Sequence, residues 1–308
     1  MSNSPLVSIL FPVYNSENFL NESIGSILSQ TYKNWELLII YYESKDKSLD
    51  IIKNFLKKDS RILLINNPKK GLINSLNHGI KIANGEFLVR MDSDDISISD
   101  RIEKQIKHMK KNKLDICGCH HYIIDKKGSL GNVSYVPLVH EHCFIRLLSA
   151  VPFAHPAVVI RKAFLIKNNL KYGMNAKFAE DLDLWINMYN AGALFGNIDK
   201  IKLKYRILET SLSRQNAKLL MSESLLLYDS FFEKNLKKIS EILNQKIEFK
   251  NDIEKYYYSR MVIRYILRKF DLNKIKKLKG IYLKIIIKAF LVEIKNLILH
   301  KVIRYNKK

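Results

Sequence analysis

A chain of 308 residues with 47% hydrophobic side chains and only 11 Gly and 6 Pro can bury one large core plus an appendage, which excludes a disordered or fibrous protein. Three cysteines, Cys117, Cys119 and Cys143, lack metal-ligand spacing and a disulfide framework; with no apolar signal core in the first five residues, they point to a reducing cytoplasm. The net charge of +22 is uneven: residues 1–214 carry 30 Lys/Arg against 21 Asp/Glu, residues 215–255 balance at 7 of each, and residues 256–308 carry 15 against 2.

In chain order, residues 6–12 form a short apolar run, and residues 17–30 place Phe19, Leu20, Ile24, Ile27 and Leu28 at helical spacing. That pattern predicts a strand followed by a helix. The unit recurs at 35–41 and 48–58, at 61–65 and 72–83, and at 86–91 and 101–111. Alternation at this pitch predicts an α/β fold with a parallel sheet covered on both faces. Ligands of such sheets collect beyond the carboxyl ends of the strands, which singles out Asn15, residues 41–46 and residues 92–95. From about residue 215 the strand signals stop and Leu/Ile/Lys-rich helical patterns run to the end. The expected domains are therefore 1–214 and a helical, basic 215–308.

The fourth strand runs into Asp92-Ser93-Asp94-Asp95, three carboxylates at the end of a buried element. Hard divalent cations take oxygen ligands, so the cluster reads as a Mg²⁺ or Mn²⁺ site, or else as a helix cap by Asp95 or Ser97 with the other groups solvated. Further on, Glu180-Asp181-Leu182-Asp183-Leu184-Trp185 opens an amphipathic helix, where acidic residues are ordinarily a capping feature.

Taken together these segments resemble glycosyltransferase family 2, in particular bacterial members that build capsule or lipooligosaccharide chains. The resemblance is carried by Pro12-Val13-Tyr14-Asn15, by Ser29-Gln30-Thr31-Tyr32, by residues 71–80 including Asn74, and by Ala83-Asn84-Gly85-Glu86. It continues through Arg90-Met91-Asp92-Ser93-Asp94-Asp95 with Asp100-Arg101, residues 152–157 around His155, and the Glu180-Asp181 helix. It implies a GT-A fold, a Rossmann-like and mostly parallel sheet with flanking helices, followed here by an α-helical C-terminal region.

The resemblance also implies a metal-dependent inverting transferase that moves a sugar from a nucleotide-diphosphate sugar, a UDP-sugar, to a hydroxyl of a glycan or glycolipid. Asp92 and Asp94 are then the ligands of Mn²⁺ or Mg²⁺, and Asp181 is the catalytic base with Glu180 beside it. Donor contacts fall to Pro12, Tyr14, Asn15, Tyr41, Asn74, Asp92, Ser93 and Arg206. Trp185 and His155 are the acceptor candidates, His155 being equally readable as a neutral core histidine. Asp183 is expected to cap the helix. Two departures stand out. Tyr41-Tyr42-Glu43-Ser44-Lys45-Asp46 lies where relatives carry two aspartates and a glycine after the second strand, and Leu208 replaces a histidine; the alternative reading is a degenerate GT-A protein without turnover.

No stretch of about 18 uninterrupted apolar residues exists, so no spanning helix is expected. Between residues 281 and 303, Lys284, Lys288 and Lys295 fall on one side of an otherwise apolar helix. Upstream, Arg260, Arg264, Arg268, Lys269, Lys274, Lys276, Lys277 and Lys279 form a cationic run. These features predict docking on an anionic membrane surface, hence a peripheral protein at the inner face of the cytoplasmic membrane; the alternative is a helix that packs on the catalytic domain. The basic charge beside Tyr256, Tyr257 and Tyr258 raises nucleic acid as a partner, but the acidic clusters would repel phosphate, and no nucleic-acid partner is expected.

Overall fold

Val7–Val13 (β1) and Trp35–Tyr41 (β2) are buried along nearly their whole length, as Val/Ile/Leu runs are when helices cover both faces of a parallel sheet. The computed structural model describes residues 4–305, apart from 175, 246, 250, 270, 271 and 280. Between and after these strands come Leu20–Leu28 (α1), Ser48–Leu56 (α2), Ile62–Asn66 (β3), Leu72–Ile82 (α3) and Phe87–Arg90 (β4). The four strands are parallel in the order β3-β2-β1-β4. This is the alternation expected from the sequence.

The second half of the sheet is mixed. Ile96–Ser97 (β5), Arg101–Asn112 (α4), Ile116–Ile124 (β6) and Leu130–Ser134 (β7) precede His140–Leu147 (α5). Then follow a 3₁₀ turn at His155–Ala157, Val159–Arg161 (β8), Lys162–Lys167 (α6), Glu180–Asn190 (α7), Phe195–Arg206 (β9) and Leu212–Gln215 (α8). Strand β8 is antiparallel to both β4 and β6, β6 runs parallel to β9, and β9 is antiparallel to β5. Among the described residues the sheet has nine strands in the order β3-β2-β1-β4-β8-β6-β9-β5, with β7 paired to β6.

One glycine in this frame is fixed by close approach. A Cβ on Gly85 would come 2.4 Å from the Ser8 nitrogen and 2.9 Å from the Leu6 carbonyl oxygen. The Gly85 N–H donates to Ser8 Oγ at 2.7 Å, and Ser8 Oγ donates to the buried Glu36 Oε1 at 2.5 Å. Glu36 also accepts from the backbone and side chain of Asn84, at 2.8 and 3.1 Å. The Ala-Asn-Gly-Glu segment thus seats the start of β4 against β1.

The chain divides into two units, residues 1–138 with 153–215 and residues 139–152 with 216–308. Residues 139–152, expected with the sheet, belong with the C-terminal helices: Phe144 of α5 meets Phe231 edge-on at 5.9 Å. The second unit otherwise consists of Ala217–Lys234 (α9), Leu236–Asn244 (α10), Asp252–Lys269 (α11), a 3₁₀ segment at Leu272–Leu278 and Leu283–Tyr305 (α12). Its polar interior corrects one sequence expectation. Arg260, Arg264 and Arg268 were expected in a surface cationic run, but they are turned inward to the buried acids Asp229 and Glu293. Arg260 Nε meets Glu293 Oε1 at 2.6 Å, Arg264 Nη2 meets Asp229 Oδ1 at 3.2 Å, and Arg268 pairs with Asp229 and Glu233. Arg264 Nη1 also donates to the Leu148 carbonyl at 2.7 Å.

Candidate active site

Strand β4 delivers the acidic turn, and the residues around it explain why the turn keeps its shape. Arg90, the last residue of β4, is 3% exposed, and its carbonyl accepts from Arg101 Nη2 at 2.9 Å. Arg101 is itself buried, its Nε donating to Gln105 Oε1 at 3.0 Å. Gln105 Nε2 in turn donates to the carbonyls of Cys117 and Ala157. Arg101 therefore braces the turn from behind. In front, Ser23 Oγ donates to the Asp92 carbonyl at 3.0 Å, and the Ser16 and Ser93 hydroxyls lie 2.7 Å apart.

Arg206 closes the turn from the far side. Its N–H donates to Asp95 Oδ1 and its Nε to the Asp94 carbonyl, both at 2.7 Å. Its Nη1 donates to the carbonyls of Asp125 and Lys126, and its Nη2 pairs with Glu22 at 2.6 Å. Expected from the sequence as a contact of the donor diphosphate, Arg206 is instead committed to holding chain segments together.

Among the described residues, Asp92, Asp94 and Asp95 bring carboxylate oxygens within 4.8 Å of one another. Burial, then the charge of Asp92, pushes Asp94 up to about 6; the same causes, with Asp94 added, raise Asp95. Asp95 Oδ2 is buried without a hydrogen-bond partner among the described residues. Three oxygens this close, held in mutual repulsion with one lone and buried, form a donor set that a hard divalent cation fits. Asp92 and Asp94, the less buried members, are the residues that would hold it.

The second acidic group stands at the start of α7. Glu180 is 6% exposed, and burial, then the neighbouring Asp181, pushes it up to about 8. Burial also raises Asp181, whose Oδ1 accepts from the Leu182 N–H at 2.7 Å. Asp183, expected as the cap, bonds Asn187 one turn along instead. Arg90 links the two groups. Its Nη1 pairs with Asp92, and its charge lowers Asp94, Asp95, Glu180 and Asp181 alike. Burial opposes the charge on Arg90 itself, but Asp92, with Tyr172 and Asp95 added, raises the guanidinium above its ordinary value.

His155 lies behind Glu180. Its Nε2 is 2.8 Å from the Tyr172 hydroxyl, and its Nδ1 is 3.6 Å from Glu180 Oε1. Burial, then Arg90, lowers it well below the usual histidine range, so the ring is neutral. Its side chain is 10% exposed and packs as a core histidine does. Trp185 is fully buried, edge-on to Phe153 at 5.7 Å and His155 at 6.0 Å, so this acceptor candidate is a core residue.

At the carboxyl ends of β1 and β2 the loops interlock. Asn15, at φ 49°, takes the Lys45 N–H on Oδ1 at 2.9 Å and donates its own N–H to Ser44 Oγ at 3.0 Å. Asn74 donates to the Lys70 carbonyl at 2.8 Å, and Pro12 is half-buried within β1 opposite Ile40. Both shape the rim. Tyr41 is only 9% exposed and its hydroxyl accepts from the Ser44 N–H, so it faces the interior rather than a ligand. Its neighbour Tyr42 is the available ring: it lies 6.2 Å from Tyr14, which is 45% exposed and has Lys70 Nζ 5.2 Å above it. Tyr42, Lys70, Tyr172 and the linking role of Arg90 were not read from the sequence. Only the adjacency of Tyr41 and Tyr42 gave a signal.

The sequence profile of glycosyl transferase family 2 matches residues 8–168, more than half of the chain and all of the acidic turn. The chain belongs to glycosyl transferase family 2. Similar proteins include an uncharacterized glycosyltransferase of Haemophilus influenzae, 33% identical over 217 residues that cover 67% of each chain. The putative glycosyltransferase EpsE of Bacillus subtilis is 32% identical over 75% of this chain and 83% of its own. The Escherichia coli protein named UDP-Glc:alpha-D-GlcNAc-diphosphoundecaprenol beta-1,3-glucosyltransferase WfgD is 33% identical over 78% of this chain and 91% of its own.

Among solved structures, residues 1–349 of S. aureus TarS in complex with UDP-GlcNAc superpose with a TM-score of 0.59 at 20% identity. The match covers 92% of this family 2 chain and 79% of that one, and it extends over 46% of the longer TarS chain. The fold is thus the GT-A arrangement of mostly parallel sheet with C-terminal helices. Within that frame this family member puts Tyr42 beside Tyr14. Leu208, beyond β9, donates its N–H to Ser211 Oγ at 3.4 Å and brings no metal-binding atom.

Proposed function

We propose that this glycosyltransferase is a metal-dependent, inverting enzyme that moves a hexose or N-acetylhexosamine from a UDP-sugar to a hydroxyl of a growing lipooligosaccharide or capsule glycan. The observation that carries the proposal is the meeting of two differently tuned acidic groups around Arg90, one suited to a cation and the other to proton transfer. The E. coli relative, whose name specifies UDP-Glc and a diphosphoundecaprenol-linked acceptor, supports a uridine donor and a lipid-linked acceptor. The complex of TarS with UDP-GlcNAc supports the same donor class. An acceptor of that kind puts the reaction at the inner face of the cytoplasmic membrane.

In this reading Asp92 and Asp94 hold Mn²⁺ or Mg²⁺, which when bound supplies positive charge against the departing diphosphate. Glu180, at about 8, keeps its proton at neutral pH, which leaves Asp181 to ionise next to an uncharged neighbour. Asp181 takes the proton of the acceptor hydroxyl, and burial, by raising its proton affinity, makes it the stronger base. Attack from the face opposite the leaving group gives inversion. His155 and Tyr172 pack behind Glu180. Tyr14 and Tyr42 offer aromatic faces to the nucleobase, with Lys70 nearby for negative charge.

A thermal-shift screen against UDP, GDP, CDP and their sugars, with and without Mn²⁺, tests the donor assignment, because a ligand that binds only the native state raises its melting temperature. A Mn²⁺-dependent shift confined to uridine nucleotides is expected. No shift with any nucleotide would overturn the proposal. The anomeric configuration of the product, read by NMR, tests inversion.

A further inference from the structure

The sequence singled out a basic helix near the C-terminus, and glycosyl transfer gives it no task. In the structure α12 has three distinct faces. Ile285, Ala289 and Glu293 are buried, at spacings of four, and Glu293 receives Arg260 and Arg264. A second face is apolar and open: Leu283 is 69% exposed, Ile287 49%, Phe290 46%, Leu291 62% and Ile298 59%. At 100° per residue these five side chains lie within an arc of about 100°. The third face carries Lys284, Lys288 and Lys295, all exposed, which the same geometry puts along one edge of the apolar arc.

Among the described residues, packing within its own unit therefore consumes one side of α12. Apolar side chains exposed in this density, with cations on their border, mark an interaction surface rather than ordinary solvated helix. The 3₁₀ segment before α12 adds Leu272 and Ile275, 67% and 53% exposed, beside Lys276 and Lys279. Because Arg260, Arg264 and Arg268 are spent internally, the surface charge here comes from lysines, whose long apolar stems can lie along a hydrophobic boundary while their ammonium groups stay in water.

We propose that the open face of α12 docks on an anionic lipid bilayer, with Leu283, Ile287, Phe290, Leu291 and Ile298 entering the headgroup boundary and Lys284, Lys288 and Lys295 pairing with lipid phosphates. The charge selects this occupant. A second copy of the chain would bring the strongly basic segment 256–308, with 15 Lys/Arg against 2 Asp/Glu, against its own like. An anionic bilayer offers both things the face lacks, hydrocarbon beneath the apolar arc and negative charge along its edge. The helix lies on the surface and does not span it: among the described residues no helix is long and apolar enough to cross a membrane.

The test is flotation of the full chain with vesicles, phosphatidylglycerol–phosphatidylcholine against phosphatidylcholine alone. Preferential binding to the anionic vesicles, weakened by salt, is expected. Each near-surface cation is worth about a five-fold change in partition, so Lys284→Gln with Lys288→Gln and Lys295→Gln should lose about a hundred-fold. Ile287→Glu with Phe290→Glu should also release the protein, at an unchanged melting temperature because both positions are exposed. A Phe290→Trp variant should shift its fluorescence to the blue on anionic vesicles.

Three outcomes would overturn the inference: equal floating on both vesicle types, binding that survives both sets of substitutions, or emission from the bound Phe290→Trp variant that matches the free protein. A self-association broken by Ile287→Glu with Phe290→Glu, or duplex DNA binding that needs the lysines and not the apolar residues, would assign the face to those partners instead. None of these readouts depends on sugar transfer, so failure here leaves the reading of the acidic site untouched.

Discussion

The two units bury acidic residues in opposite ways. In the helical unit Asp229 and Glu293 are 4% and 1% exposed, and the arginines Arg260, Arg264 and Arg268 are arranged around them. In the sheet unit Asp94, Asp95, Glu180 and Asp181 share the influence of Arg90, whose direct ion pair is with Asp92, and all four are pushed above their ordinary values. A buried carboxylate that meets its counter-charge holds a fold together. One left short of positive charge is poised to receive a cation or a proton. The contrast separates scaffold from chemistry without reference to either unit's sequence.

Substitutions should split along this line. Asp94→Asn is expected to lower transfer by at least about a thousand-fold and remove the Mn²⁺-dependent thermal shift with UDP. It should not lower the melting temperature of the metal-free protein, since it removes a charge that burial and Asp92 oppose more than Arg90 and Arg206 relieve. A lower melting temperature would erase the contrast. Asp181→Asn should cost about 10²- to 10⁴-fold in turnover while UDP binding persists, measured by initial rates and by the same thermal shift.

In the helical unit the result should invert. Glu293→Gln leaves Arg260 buried without its partner and is expected to cost about 3–5 kcal/mol, read by urea denaturation. Tyr42→Ala probes the rim at the ends of β1 and β2. Loss of a stacking face should weaken UDP binding about ten-fold in calorimetry, while Tyr41→Phe, which removes only an interior hydrogen bond, should leave affinity unchanged.

The last test is a pH slope. Glu180 is raised from 4.5 to about 8, so across that window the folded chain holds a proton that the unfolded chain has released. Its contribution is complete below pH 4.5 and is lost as pH rises toward 8. Glu180→Gln should flatten this part of the curve of melting temperature against pH in metal-free protein.

How far the sequence alone reached follows from what kind of information each element needs. Strands β1 to β4 announce themselves because each is a short apolar run set against a helix of matching period, and their parallel order follows from the alternation. Strand β6, containing Gly118, His120 and His121, does not read as a strand. Strand β8 has three residues, and β9 is interrupted by Asp199 and Lys200, where its register with β6 shifts. These strands exist because neighbours supply the ladder, which no local window contains.

The site divides in the same manner. Asp92, Asp94, Glu180 and Asp181 stood out in the sequence because they match a family pattern. The parts played by Arg90, Tyr172 and Tyr42 depend on where a side chain points once the strands are paired. Trp185 and Tyr41 were misjudged for the same reason: aromatic residues near a motif are as often its backing as its surface.

The clasp made by Arg206 carries a consequence for how the protein is made. Its N–H reaches Asp95 across 111 positions of sequence, and its guanidinium reaches Glu22 across 184. On the ribosome the first four strands emerge long before this residue does, so a growing chain possesses the acidic turn before it possesses the lock that sets it. Competence therefore comes late and all at once, and a product truncated anywhere before β9 ends is a sheet with the right letters and an unfastened centre.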